Sequence, residues 1–273
     1  MQNFIFKNSI QKPAEILNDL TPEQVALLQL DRNIFIQKKL SFLEEKIKLF
    51  NFNIRQATIH DLYFMQNFIS DNLRDAGVDP HVNEYELYRL VEFGHGTVVE
   101  EKSKIIACIF SISYNTPNSS AYAARLVVEK LHRGKKLGSL LKEYAYLLEM
   151  KTGAKVMQGL FDHVNTKVID LHLNDHGGIF TDFHKNVIGW DPFFTSILPL
   201  TPTNLTHCVV NVEKINIYIN SFTNEKDYMC VKYNDIDKIE YMYRETPFKI
   251  VATFFDKNSE KYFFALHSNL LGL

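Results

Sequence analysis

The sequence has little cysteine, no long apolar run and almost no net charge, and each shortage removes a class of protein. Its three cysteines, Cys108, Cys208 and Cys230, are odd in number and widely spaced, and no CxxC pair accompanies them. That argues against a disulfide framework and against a cysteine zinc site, and makes a reducing compartment the simpler expectation. No stretch approaches the roughly 20 apolar residues of a membrane-spanning helix. The N-terminal MQNFIFKNSIQKPAEILNDL lacks the uninterrupted apolar centre of a secretory signal, so a cytoplasmic location is expected, with leaderless secretion left open. A formal net charge of −2 over 273 residues gives no global attraction to nucleic acid or to an anionic membrane, and neither is expected as a partner. Gly-x-Ser-x-Gly, a Walker-type GKS or GKT and HExxH are all absent, which leaves nucleophilic serine catalysis, a nucleotide P-loop and a zinc-protease site without support. No internal repeat or low-complexity segment interrupts the chain.

What is present is ordinary for a soluble globular protein: 46% hydrophobic and 23% charged residues, in a chain long enough for one large domain with additions. Thr21 and Gln24 have capping-box spacing with Pro22 between them, which predicts a helix start, and residues 1–50 read as one or two helices packed on the domain after them. A strand over Phe52–Ala57 leads to a cap at Thr58 and Asp61, then to an amphipathic helix carrying Leu62, Met65, Phe68 and Ile69. Gly77–Pro80 breaks it, and a second helix is expected over Asn83–Val91. Strands follow at Thr97–Glu100, Ile105–Tyr114 and Ala121–Val128, with a turn at Asn115–Ser119, and later at Lys155–Phe161. Asn165–Leu173 resumes helical periodicity. Beyond residues 179–206, which read as strands and loops, the pattern predicts strands at Cys208–Val212, Ile215–Ile219, Tyr228–Tyr233, Ile239–Tyr243, Lys249–Phe255 and Lys261–Leu266, with a hairpin turn over Asp256–Glu260. The order implies an α/β (α+β) fold, a mixed sheet covered by helices. The organisation expected is an N-terminal helical extension (1–50), a central domain (51–223) and a β-rich C-terminal extension (224–273).

The organising stretch is Leu126–Lys151. Leu126, Val127 and Val128 form an apolar strand end, and a polar turn carries the chain through Arg133, Gly134, Lys135, Lys136, Leu137 and Gly138 into a helix. Leu137, Leu141, Tyr144 and Leu148 share one face of that helix. A helix start has N–H groups without intrahelical acceptors and a partial positive charge, so this junction suits an anion, and Gly134 and Gly138 let the backbone come close to it. Local pattern alone leaves a second reading, an ordinary strand-to-helix connection with two turn glycines.

Residues 52–180 resemble the GNAT superfamily of N-acetyltransferases. The strand, the Arg/Gln-x-x-Gly-x-Gly/Ala turn and the helix N-terminus that hold coenzyme A pyrophosphate in that family match Leu126–Leu141, with Arg133 first and Gly138 last. Lys136 departs from the central glycine. A second match is Asn-x-x-Ala-x-x-Leu-Tyr-x-Lys-x-Gly-Phe, where Asn165, Val168 and Leu171 keep the spacing, His172 replaces Tyr, Asn174 replaces Lys and Gly177 falls one residue late. The resemblance implies a GNAT-like sheet flanked by helices and transfer of an acetyl or other acyl group from a coenzyme A thioester to a primary amine of a small molecule or protein, by direct attack in a ternary complex. It makes acetyl-CoA, or another acyl-CoA, the co-substrate, held by Leu126, Val127, Val128, the 133–138 turn and Asn165. A non-catalytic acyl-CoA-binding or interaction module on the same fold is the alternative, motivated by Lys136 and by the missing Tyr.

The resemblance also nominates side chains for proton transfer. His172 stands where a Tyr often protonates the leaving thiolate, and imidazole has a suitable pKa; a helical histidine without catalytic role is the other reading. Glu100, on the strand that faces the acceptor in this family, is a candidate base against the alternative of a surface carboxylate. Tyr122, at the start of the motif strand, and His163, just past the following strand, are further candidates. Of Asp162, His163, His172, His176 and His184 only His172 and His176 have helical i, i+4 spacing, and no HExxH accompanies them, so no metal is expected. The C-terminal extension has three readings: a structural addition, a cover for the acceptor pocket, or an interface with a partner or a second copy in a homodimer.

Overall fold

The computed structural model describes residues 21–74, 83–113, 119–185, 187, 191–202, 205, 215, 227–271 and 273. It is an α/β fold that divides into two compact units, Leu30–Met157 and Met1–Gln29 with Gln158–Leu273. The described chain opens on α1 (Pro22–Leu28), started by the expected capping box: Thr21 N–H donates to Gln24 Oε1 at 2.7 Å and Gln24 N–H to Thr21 Oγ1 at 3.3 Å.

In the unit 30–157, α2 (Arg32–Lys48) precedes β1 (Asn53–Gln56), a 3-10 turn (Ile59–Asp61), α3 (Leu62–Arg74) and α4 (Glu84–Glu92). Then come β2 (His95–Glu101), β3 (Lys104–Ser113), β4 (Ser120–Val128) and α5 (Leu137–Lys151). The strands pair antiparallel in the order β1-β2-β3-β4. Alternation puts Val98, Cys108, Phe110 and Val127 into a core completed by Met65 and Ile69 of α3 and by Leu87, Leu90 and Val91 of α4. Burying Cys108 completely raises its thiol pKa through desolvation, consistent with a core role.

Helix α5 forms as the spacing predicts, yet its burial exceeds one face. Leu137 and Leu141 are buried, Tyr144 and Leu148 are half-buried, and Leu140, Ala145, Tyr146 and Leu147 are buried as well. The helix has two covers, the strands on one side and α2 on the other. Lys39 of α2 pairs with Glu143 at 2.6 Å, both nearly excluded from water, and Tyr144 donates to Glu44 at 3.1 Å. Arg32 donates to the carbonyls of Met150 and Ala154, each at 3.1 Å, and so satisfies acceptors that a helix end leaves open. The expectation that the N-terminal helices pack on the domain after them therefore holds for α2.

In the second unit the strand order is β5-β7-β6-β9-β10-β8, with β5 (Val156–Asp162) beginning at its boundary, β6 (Ile179–His184), β7 (Phe193–Pro199), β8 (Tyr228–Lys232), β9 (Phe248–Phe255) and β10 (Lys261–His267). Helix α6 (Thr166–Asp170) runs into a π-helical turn (Leu171–Asp175), α7 (Ile236–Glu245) lies between β8 and β9, and α8 (Ser268–Leu271) ends the chain. The 256–260 hairpin forms, with Asp256 N–H donating to Glu260 O at 3.0 Å.

Two strand expectations need correction. Ile239–Tyr243 is helical, part of α7: Ile239 and Met242 are buried three apart, Ile236 and Tyr243 pack beside them, and the Asp235 carboxylate accepts from Lys238 N–H at 3.1 Å as the cap. Ile215 is buried and helical rather than extended. The remainder of the strands expected over 208–219, the break at 77–80 and the turn at 115–118 fall outside the described residues. Among the described residues no helix is long and apolar enough to cross a membrane.

Candidate coenzyme A site

Strand β4 does not run evenly beside β3. Cys108 faces Val127 and Phe110 faces Ala124, so Arg125 and Leu126 together oppose Ile109 alone. This is a bulge, and Arg125 takes a left-handed φ of +53° to make it. A bulge leaves backbone polar groups out of the ladder, available to a ligand beside the strand. Arg125 is fastened to α4 by Glu86 at 3.5 Å. Tyr122, three residues earlier, is half-buried opposite Ile112.

Past β4, Glu129 N–H donates to Ile106 O at 2.8 Å, and a 3-10 turn (Lys130–His132) leads to Arg133. The Arg133 guanidinium is engaged on the protein side: Nε donates to Val128 O at 3.0 Å and Nη2 to Asn72 O of α3 at 3.1 Å. Its side chain thus ties the turn to the end of β4 and to α3. His132, almost fully buried under the turn, lies 2.8 Å from the Glu129 carboxylate and 3.4 Å from Glu101, and its ring meets Phe52 edge-on. Lys104 first and His132 after it hold the Glu129 carboxyl below its ordinary pKa. Lys135 lies over Phe52, 5.7 Å from the ring centre.

The turn reverses at Gly134 (φ +83°) and again at Lys136 (φ +59°, ψ 12°), the N-cap of α5. Lys136 offers no side-chain cap, and the first intrahelical bond runs from Leu140 N–H to Lys136 O. The N–H groups of Leu137, Gly138 and Ser139 therefore point out of the helix end together, the arrangement that receives a phosphate. A Cβ on Gly138 would meet Val128 and Leu126 only at ordinary contact, 3.7 and 3.8 Å, so packing does not demand glycine there. A ligand approaching the backbone would.

Glu100 is in the same unit. Arg55 grips it with Nε at 3.0 Å and Nη2 at 2.6 Å and holds Asp61 through two bonds of 2.8 Å, lowering the Asp61 pKa to about 2. These groups edge a cleft of about 900 Å³ walled by Phe64 and Phe68.

The remaining candidates belong to the other unit. Asn165 is the N-cap of α6, and its carbonyl accepts from Val168 and Ile169 N–H, each at 3.1 Å. His172 is buried against Phe161 and Phe180, at 4.3 and 5.8 Å between ring centres, and a Cβ on Gly178 would stand 2.2 Å from its Nε2. His163 Nε2 lies 2.8 Å from Tyr233 O, so that nitrogen carries the proton, and Tyr233 Oη donates back to His163 O at 2.8 Å. Burial pushes the His163 pKa down.

Sequence reasoning missed the bulge at Arg125, the latch from Arg133 to α3 and the Asp61–Arg55–Glu100 relay. Only the last had a trace in the sequence, the Thr58–Asp61 cap next to a basic strand residue.

No protein-family model matches the chain, and no curated protein does. Among solved structures, one chain of the NatC complex bound to Gag peptide and CoA superposes over 55% of this chain and 99% of its own length, at 17% identity and a TM-score of 0.48. The putative acetyltransferase yncA from Salmonella typhimurium, seen with acetyl-CoA, does so over 55% and 94%, at 18% identity and a TM-score of 0.45. For the ribosomal-protein-S18-alanine N-acetyltransferase from Escherichia coli the coverage is the same, with 16% identity and a TM-score of 0.43. Over about half of its length the chain is similar in fold to GNAT acetyltransferases.

Proposed function

We propose that this protein is an acyl-CoA-dependent N-acyltransferase acting on a primary amine. The observation that carries the reading is the β4–turn–α5 junction, where a bulged strand feeds a doubly left-handed turn and three outward N–H groups. Pyrophosphate is the anion this arrangement suits, and the bulge offers backbone donors for a thioester oxygen. The neutral amine nitrogen attacks the thioester carbon; the C–N bond forms, the C–S bond breaks, the amine gives up a proton and the thiolate takes one. An alkylamine of pKa about 10.4 is almost wholly protonated at pH 7, so removing that first proton is part of the work.

Glu100 enters this proposal as a base that acts once Arg55 releases it, and Tyr122 of β4 as a further group for proton transfer. His172 and His163 enter as proton donors, Asn165 as part of the cofactor contacts. The engagement of Glu100 by Arg55 and the burial of His172 favour the second reading, a module that binds acyl-CoA without turnover. One experiment separates the two. Purified protein is incubated with acetyl-CoA and a panel of primary amines while free thiol is measured, and coenzyme A binding is titrated in parallel. Amine-dependent thiol release supports the enzyme; binding without release supports the module; neither removes both.

A further inference from the structure

Two clefts among the described residues of the unit 30–157 differ in charge. In the larger, Arg55, Lys104 and their acidic partners compensate one another within the wall. The smaller, about 500 Å³ and within the usual size of a small-molecule site, lies between α3 and α4. Its lining holds Tyr63, Tyr85 and Tyr88 with Glu84 and Gln66, over an apolar floor, and contains no Lys, Arg or His among the described residues.

Leucine packing explains why these side chains gather there. Leu87, Leu90 and Val91 turn the inner face of α4 to the core, which leaves Tyr85 and Tyr88, three apart, on the outer face beside Tyr63. Tyr63 and Tyr85 are 70% and 69% exposed, so their ring faces are open to a ligand in the cleft. The Glu84 carboxylate is not spent on capping, because Asn83 already accepts from the N–H groups of Tyr85 and Glu86. Glu86 faces elsewhere, toward Arg125. Among the described residues no ion pair engages Glu84.

We propose that this cleft is a binding site for an organic cation of the alkylammonium type. Tyrosine faces attract a cation through their quadrupoles, a carboxylate adds charge, and the apolar floor takes the alkyl groups. The site needs no coenzyme, so it stands or falls apart from the acyltransferase reading.

The test uses the full chain with ring-labelled tyrosines, titrated with choline and with its neutral isostere 3,3-dimethylbutanol while the Tyr63, Tyr85 and Tyr88 resonances are followed. Choline should saturate these signals and bind about tenfold more tightly than the alcohol. Glu84→Gln and Tyr85→Ala, both on the surface, should each weaken choline about three- to tenfold without shifting the melting temperature. A peptide bearing trimethyllysine forms the other arm: tighter binding than choline assigns the ammonium to a polypeptide, equal binding to a free molecule. Equal affinity for choline and alcohol, shifts that map elsewhere, or a dimer that buries Tyr85 would each overturn the proposal.

Discussion

Replacing Lys136 separates what its backbone costs from what its charge contributes. The residue sits at φ +59°, ψ 12°, where a side chain with a Cβ is disfavoured by about 1–2 kcal/mol. Glycine escapes that strain but loses about 0.5–1 kcal/mol to the added freedom of the unfolded chain. Lys136→Gly should therefore stabilise the fold by about 0.5–1 kcal/mol, a rise of about 1–4 °C in melting temperature for a chain of this size. Lys136→Ala keeps the Cβ and should gain nothing. Both variants delete one positive charge beside the α5 N-terminus, worth about 0.3–1 kcal/mol toward a phosphate, so both should weaken coenzyme A about two- to fivefold. Urea melts give the first quantity and calorimetric titration at two salt concentrations the second, with the loss shrinking at high salt. If alanine stabilises as much as glycine, the strain argument fails. If glycine tightens coenzyme A binding, the lysine crowds the ligand rather than attracting it.

Alanine at the two motif glycines should act with opposite signs: Gly138→Ala should stabilise by up to about 1 kcal/mol while impairing coenzyme A binding, and Gly134→Ala, at φ +83°, should cost about 1–2 kcal/mol. Thermal melts and ligand titration read both. Lys39→Met leaves Glu143 buried without its cation and should cost about 3–5 kcal/mol, whereas Lys39→Met with Glu143→Leu should recover most of it in urea denaturation. Because burial lowers the His163 pKa in the folded state, the unfolded chain binds that proton more readily. Its contribution is intact above about pH 6.5 and lost as pH falls below it, and His163→Gln should flatten that part of the stability–pH curve.

Periodicity makes α5 readable, since Leu137, Leu141, Tyr144 and Leu148 repeat at helical spacing. It cannot show that Leu140, Tyr146 and Leu147 are buried too, because the cover is α2, whose contacts with α5 span 100 residues or more of sequence. Helix α7 escapes sequence reading for a local reason. Over Ile239, Tyr241 and Tyr243 a two-residue alternation fits as well as a helical repeat, and the deciding signal is the cap at Asp235. In the site, the glycines and the strand end are legible from the motif. The bulge is not, because Arg125 adopts a left-handed φ with no residue-type signature, and neither is the burial of His172, which depends on Phe161, Phe180 and the space left by Gly178.

The second cover over α5 changes where a shortened version of this protein should begin. A chain cut to residues 52–180, the span that the motifs mark out, would strip away Lys39, Glu44 and Arg32 together. Glu143 would then meet water without its ion-pair partner, and the last turn of α5 would lose the guanidinium that closes it. The turn at the other end of that helix takes its alignment from the same rod, so the shortened chain would hold the 133–138 backbone less firmly even with every motif residue in place. The shortest version that keeps the rod held on both sides starts before Asp31, the residue that caps α2.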